Sequence, residues 1–223
     1  MKRTIVMAAM LLYGAYPLAA ENIDVKPYLG ENWYGLYFNG EKVGYLQKKI
    51  ACEGENAVVL IEDAHFMVSM SGAKQDMSIY SKRVYRLSGE LLYIDAEMKD
   101  PAQTSSFHAE ATGNELTMKS VLGGSIREEK FPLPSESLTD ALRHALWAKS
   151  TPKPGDVITF SAFEPLYQKE VSGISRLVGS EQRIFNGVPT EVYEIHSVLD
   201  LMDIESTSYV TACGVTDRKS TRL

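Results

Sequence analysis

WYGLYFNGEKVGYLQKKI, Trp33 to Ile50, is the stretch whose reading decides the fold. Aromatic and β-branched residues lie on both sides of Asn39-Gly40, a pair suited to the positive φ that a two-residue type I′ turn needs at both positions. The stretch therefore reads as an antiparallel hairpin. Similar turn signals recur along the chain at Ser71-Gly72, Ser88-Gly89, Gly113-Asn114, Gly123-Gly124 and Asn186-Gly187. Between them lie runs such as AVVLIEDAHFMVSM, which is long enough to bend or carry a bulge, LLYIDAEM, ELTMKSVL and SIREEKF. SSFHAEAT alternates clearly, with Phe107, Ala109 and Ala111 on one face and Ser106, His108 and Glu110 on the other. Period-2 alternation of this kind describes strands with one buried and one wet face.

A single segment follows another period. SESLTDALRHALWAKS puts Leu138, Ala141, Leu142, Ala145 and Leu146 at helical spacing. Ser137 and Asp140 fit a capping box, in which each side chain binds the other's free backbone N–H. Thr151-Pro152 and Pro154-Gly155 then close the helix. Strand patterns resume in DVITFSAF, KEVSGISRLVGSEQRI, TEVYEIHSVL and IESTSYVTACG. The expectation is a mainly β chain: a large curved antiparallel sheet, or a partly wrapped barrel, with one amphipathic helix over about 138–150 filling its concave face.

The chain has 223 residues, 44% of them hydrophobic, and a formal net charge of -6. That content supports a real core. The acidity and the lack of a Lys/Arg cluster argue against nucleic-acid binding. Lys2, Arg3, the apolar run Ile5 to Leu12 and the small residues of YPLAA form a secretory signal peptide over 1–20. No later segment has the length and apolarity of a spanning helix. The expected product is exported, most simply periplasmic, with a single β-rich domain over 21–216.

Candidate chemistry is sparse. No dinucleotide fingerprint, phosphate loop or paired-His zinc motif occurs. GISRL lacks the second glycine of a nucleophile elbow. His65, His108, His144 and His196 fall on three strands and one helix, where convergence on a metal is not expected. Neither cysteine opens a helix, and adjacent Glu62 and Asp63 point to opposite faces of their strand. No catalytic residue, metal or cofactor is assigned. Cys52 and Cys213 are the two candidates for a disulfide, which an oxidising compartment permits. The aromatic group Trp33, Tyr34, Tyr37, Phe38 and Tyr45 has two readings: core and cross-strand packing, or a docking surface for a neighbouring domain or an apolar ligand.

The ordered series WYGLYFNGEKVGY, FPLPSESLTDALRHAL, KPGDVITFSAFEP, LVGSEQRIFNGVPTEVYEI and MDIESTSYVTACG resembles the N-terminal β-rich domain of exported bacterial transglutaminase-like proteins. In that family a W-x-G-x-Y-x-x-G-x-K-x-G-Y pattern opens the domain, and a papain-like catalytic domain follows it. The resemblance implies a scaffold or interaction domain whose partner is that catalytic domain in cis, or a cell-envelope protein. It carries over no catalytic residue, because nothing in this chain matches the second domain. The alternative is a stand-alone periplasmic module that binds a lipid or other amphiphile in the curved sheet. The basic stretch DRKSTRL, Asp217 to Leu223, fits neither pattern. It is the translation of GAT CGG AAG AGC ACA CGT CTG, a sequencing-adapter string, and is read as a non-native tail on a frame cut near Val215 or Thr216.

Overall fold

The computed structural model describes residues 23–38, 40–70, 73–185, 187–200, 205–212 and 216–222. The signal-peptide segment 1–20, Asn39, Ser71-Gly72, Asn186 and Cys213 lie outside the described residues. A 3-10 turn at Lys26–Tyr28 leads into eight strands: β1 (Gly30–Phe38), β2 (Glu41–Glu53), β3 (Ala57–Met70), β4 (Ala73–Arg86), β5 (Leu91–Lys99), β6 (Thr104–Thr112), β7 (Glu115–Leu122) and β8 (Ser125–Pro132). Two short helices follow, α1 (Leu138–Ala141) and α2 (Arg143–Lys149). The chain then forms β9 (Val157–Glu164), β10 (Lys169–Phe185), β11 (Val188–Leu199), β12 (Glu205–Thr211) and β13 (Thr216–Arg222).

These make one 13-stranded sheet in the order β8-β7-β6-β5-β4-β3-β2-β1-β13-β12-β11-β10-β9. It consists of two antiparallel meanders, β1–β8 and β9–β13, joined by the parallel pair β1–β13. The sheet is curved and not closed, since β8 and β9 end it without pairing to each other. The opening hairpin forms as its sequence requires, with Phe38 opposite Glu41 across the turn and Gly40 at φ 86°. At Gly44 a Cβ would run into the backbone of His65 and Phe66, so glycine sets how closely β2 approaches β3. The stretch Asp217 to Arg222, patternless as sequence, forms most of β13 between β1 and β12. Strand pairing is made by backbone groups, so many sequences fit such a position.

The helical segment departs from expectation in one respect. The Ser137/Asp140 capping box is present, but the helix is broken at Leu142, where φ is -96° and ψ is 5°. Arg143 Nη1 donates to the Asp140 carbonyl at 2.9 Å, giving that acceptor a side-chain partner at the break. The bent segment reaches two cores, and α2 contributes to both, with its Leu146 packed against the first. Leu138 and Leu142, at 0% and 3% exposure, pack with Tyr85, Ile94, Phe107, Leu116 and Met118 of the first meander and with Phe163 of β9. Trp147 and Ala148 pack with Leu177, Ile195 and Val210 under the second. The floor beneath α2 includes the buried serines Ser175, Ser197 and Ser208, whose small side chains allow the helix to approach closely. The helices thus fill the concave side and bind the two meanders together.

Candidate functional site: an aromatic outer face and a sealed polar interior

Strand alternation divides the aromatic group. Trp33 is 59% exposed on the outer face of β1, and Tyr45 is exposed on β2. Their ring centroids lie 5.4 Å apart. Tyr45 in turn stacks on His65 of β3, 5.2 Å away at an interplanar angle of 29°. The row is held at both ends: Trp33 Nε1 donates to Glu31 Oε1 at 2.9 Å, and His65 Nε2 lies 3.1 Å from Asp63 Oδ1. Exposed Met67 continues the same face of β3. Tyr37 shares the face of Trp33 and lays its ring over Gly35, where a Cβ would come within 2.7 Å of it. Tyr34, 6% exposed, does not reach this face; it points the other way into the interior, as its place in the alternation requires. Phe38 is half-buried on Tyr34's side of the strand. His65 and Met67 join the surface only through the β2–β3 register, which sets Tyr45 opposite His65.

The interior holds a charged network that strand patterns did not reveal. Glu136, buried just before the helix cap, accepts from Arg83 Nε at 3.0 Å, from the Tyr85 hydroxyl, and from the Phe163 N–H at 2.6 Å. Arg83 Nη2 donates to the Phe163 carbonyl at 2.8 Å. Asp140 Oδ1 accepts the Ser161 N–H at 3.4 Å. Phe163 and Ser161 lie on β9, whose outer side has no neighbouring strand among the described residues. Side chains therefore satisfy backbone groups that would otherwise form an open edge. Burial, reinforced by Glu136, holds the Tyr85 phenol well above its usual pKa. Burial also raises the carboxyl of Glu164, against the pull of Arg83. Arg143 lies over the Phe160 ring at 3.6 Å, and burial lowers its pKa against the attraction of Glu62 and Asp140.

No constellation for covalent chemistry is assembled among the described residues. Each histidine has a local partner: His108 lies 2.6 Å from Asp95, His144 lies 3.0 Å from Ser175, and His196 lies 3.6 Å from Glu205. Ser175 is fully buried, so its contact with His144 is structural rather than a presented nucleophile. Among the described residues no group of three His, Cys, Asp or Glu side chains could hold a metal ion. Cys52 is an exposed free thiol on β2, and its proposed partner Cys213 lies outside the described residues. Open clefts occur among the described residues. One of about 650 Å³ is lined by Ser135, Asp140, Thr159, Ser161, Ser172 and Asp200 with Phe160, Gly173, Ile174, Val198 and Leu199. Another, about 440 Å³, lies on β4–β7 and includes Tyr80, Asp95, Glu97, His108 and Lys119. Both clefts mix apolar side chains with hydroxyls and charges, the second adding Ala96, Phe107 and Val121 to its polar members. No described helix is long and apolar enough to cross a membrane.

No family model matches the chain, and no curated protein matches it. A solved structure from Brucella abortus, a beta-barrel-like protein of domain of unknown function DUF1849, is similar with a TM-score of 0.58. The match covers 80% of this chain and 81% of that one at 6% sequence identity. At that identity the likeness speaks to fold alone, and it agrees with a mainly β, curved-sheet architecture.

Proposed function

We propose that this chain is the non-catalytic scaffold and interaction domain of an exported transglutaminase-like protein. Its outer aromatic face on β1–β3 receives a partner, in the first instance the catalytic domain in cis. The observation that carries this reading is the filled concavity. Leu138, Leu142 and Trp147 occupy the space a carrier would keep for its cargo, while Trp33 and Tyr45 remain exposed with their neighbours fixed. Exposed rigid aromatic rings bury large area at small entropic cost when a partner covers them. The ordered resemblance to transglutaminase-like N-terminal domains supports the choice of partner, and the signal-peptide pattern supports export.

The test places a photo-crosslinking residue at Trp33 or, as a control, at exposed Ile174 of β10, in a polypeptide that carries this domain together with the proposed catalytic domain. Crosslinks from position 33 into the catalytic domain of the same polypeptide, beyond the strand that pairs with β1, are expected, with none from position 174. Crosslinks only to lipid, or equal yields from both positions, would overturn the reading.

A further inference from the structure

The two ends of the sheet are finished differently. Side chains cap the outward backbone groups of β9, as described above. Among the described residues β8 pairs with β7 alone, and all of its residues but Phe131 are exposed. The turn before β8 determines which backbone groups it offers. Gly123 and Gly124 have φ of 54° and 80°, as in a type I′ turn, so Leu122 and Ser125 form a hydrogen-bonded pair and every second pair after them does too. The Leu133 N–H bond to the Asn114 carbonyl, 2.9 Å, keeps the same phase at the far end. Arg127, Glu129 and Phe131 therefore direct their backbone groups to β7. Ile126, Glu128 and Lys130 present theirs to the open edge, and Pro132, next in that series, has no N–H to leave unpaired.

From this geometry we infer that β8 is a dimerisation edge, on which a second copy of the chain lays its own β8 antiparallel about a two-fold axis at Glu128. The outward set Ile126, Glu128 and Lys130 is symmetric about Glu128. The two copies can thus exchange backbone bonds at Glu128–Glu128 and twice at Ile126–Lys130. The intervening pairs, where side chains approach most closely, set Arg127 against Glu129 of the other copy, once on each side of the axis. The two Glu128 carboxylates meet at the axis, but Lys119 stands opposite each of them on its own β7. Other registers fail. An axis midway between Glu128 and Glu129 sets Glu on Glu and Arg on Lys. Axes at Arg127 and Glu129 keep the backbone phase, and the second sets Glu128 against Lys130, but they bring Arg onto Arg and Glu onto Glu at the close, non-hydrogen-bonded position, and the Glu129 axis puts Pro132 opposite Ile126, where its missing N–H costs a bond on each side. An axis at Ile126 or Lys130 loses both Arg–Glu pairs. Backbone phase restricts the axis to a residue of the strand, and charge and Pro132 favour Glu128 among these; the arrangement is independent of the aromatic face.

Sedimentation velocity on the purified chain, from about 1 to 100 μM, tests this. A concentration-dependent dimer is expected. Glu128→Pro removes only an outward N–H, so it should give a monomer with an unchanged melting temperature. Arg127→Glu and Glu129→Arg should each weaken association by about tenfold, and the double variant should restore it. A monomer across the whole range would overturn the inference. So would a dimer indifferent to Glu128→Pro, or a double variant no tighter than either single one. If Glu128→Pro lowers the melting temperature, the charge-swap series decides alone.

Discussion

Glu136 sits with 2% of its side chain exposed and faces a guanidinium, a phenol and a backbone N–H. Glu136→Ala leaves Arg83 buried without its countercharge and frees the Phe163 N–H, so urea denaturation should show a loss of about 3–5 kcal/mol. Lys48→Ala, which removes an exposed ion pair with Glu62, should cost less than about 1 kcal/mol in the same assay. Glu164 gives a pH signature. Its carboxyl has a raised pKa in the folded state, so the folded form holds the proton more tightly than the unfolded one. Its contribution is therefore most favourable below the ordinary glutamate pKa and is lost as pH rises through the raised folded value. Glu164→Gln should raise the melting temperature at pH 7, and the gain should shrink toward pH 4; equal gains at both would remove this account of Glu164. At this scale the aromatic group Trp33, Tyr34, Tyr37, Phe38 and Tyr45 was legible in the sequence, but its division into exposed Trp33 and Tyr45 and buried Tyr34 was not. Glu136 was not, because its partners Arg83 and Phe163 are 53 and 27 residues away and meet it only after the sheet curls.

The helical segment shows what pattern can and cannot specify for an element. Its start was legible, because a capping box is a local bargain between Ser137 and Asp140. The break at Leu142 was not, because it answers to two cores that lie far apart in the chain. Trp147 carries the consequence. It belongs to no Leu stripe, yet it fills the second core against Leu177, Ile195 and Val210. Trp147→Ala should cost about 3–5 kcal/mol by chemical denaturation. A loss below about 1 kcal/mol would mean that α2 is not packed under β10–β12 as described. The strands were read more readily. SSFHAEAT alternates in the structure as in the sequence, with Phe107 and Ala109 buried and His108 and Glu110 exposed, since a half-buried strand writes its two faces directly into residue order.

Across the molecule, curvature and a helix on the concave side follow from many hairpins and one amphipathic segment. The order of strands does not, since the parallel β1–β13 contact joins chain ends that no local signal relates. The α1–α2 segment touches both cores, so the two meanders should unfold together. In a Trp33→Phe background, Trp147 fluorescence and far-UV circular dichroism should trace coincident denaturation curves. Separate transitions would mean that the helices do not couple the halves. The same packing puts Leu138, Leu142 and Trp147 where a carrier would hold its cargo, and the most direct measurement is native mass spectrometry of the protein secreted into a bacterial periplasm and purified without detergent. The spectrum should contain only polypeptide masses, monomer or dimer; a stoichiometric lipid adduct that survives purification would contradict a filled interior and return the chain to the carriers.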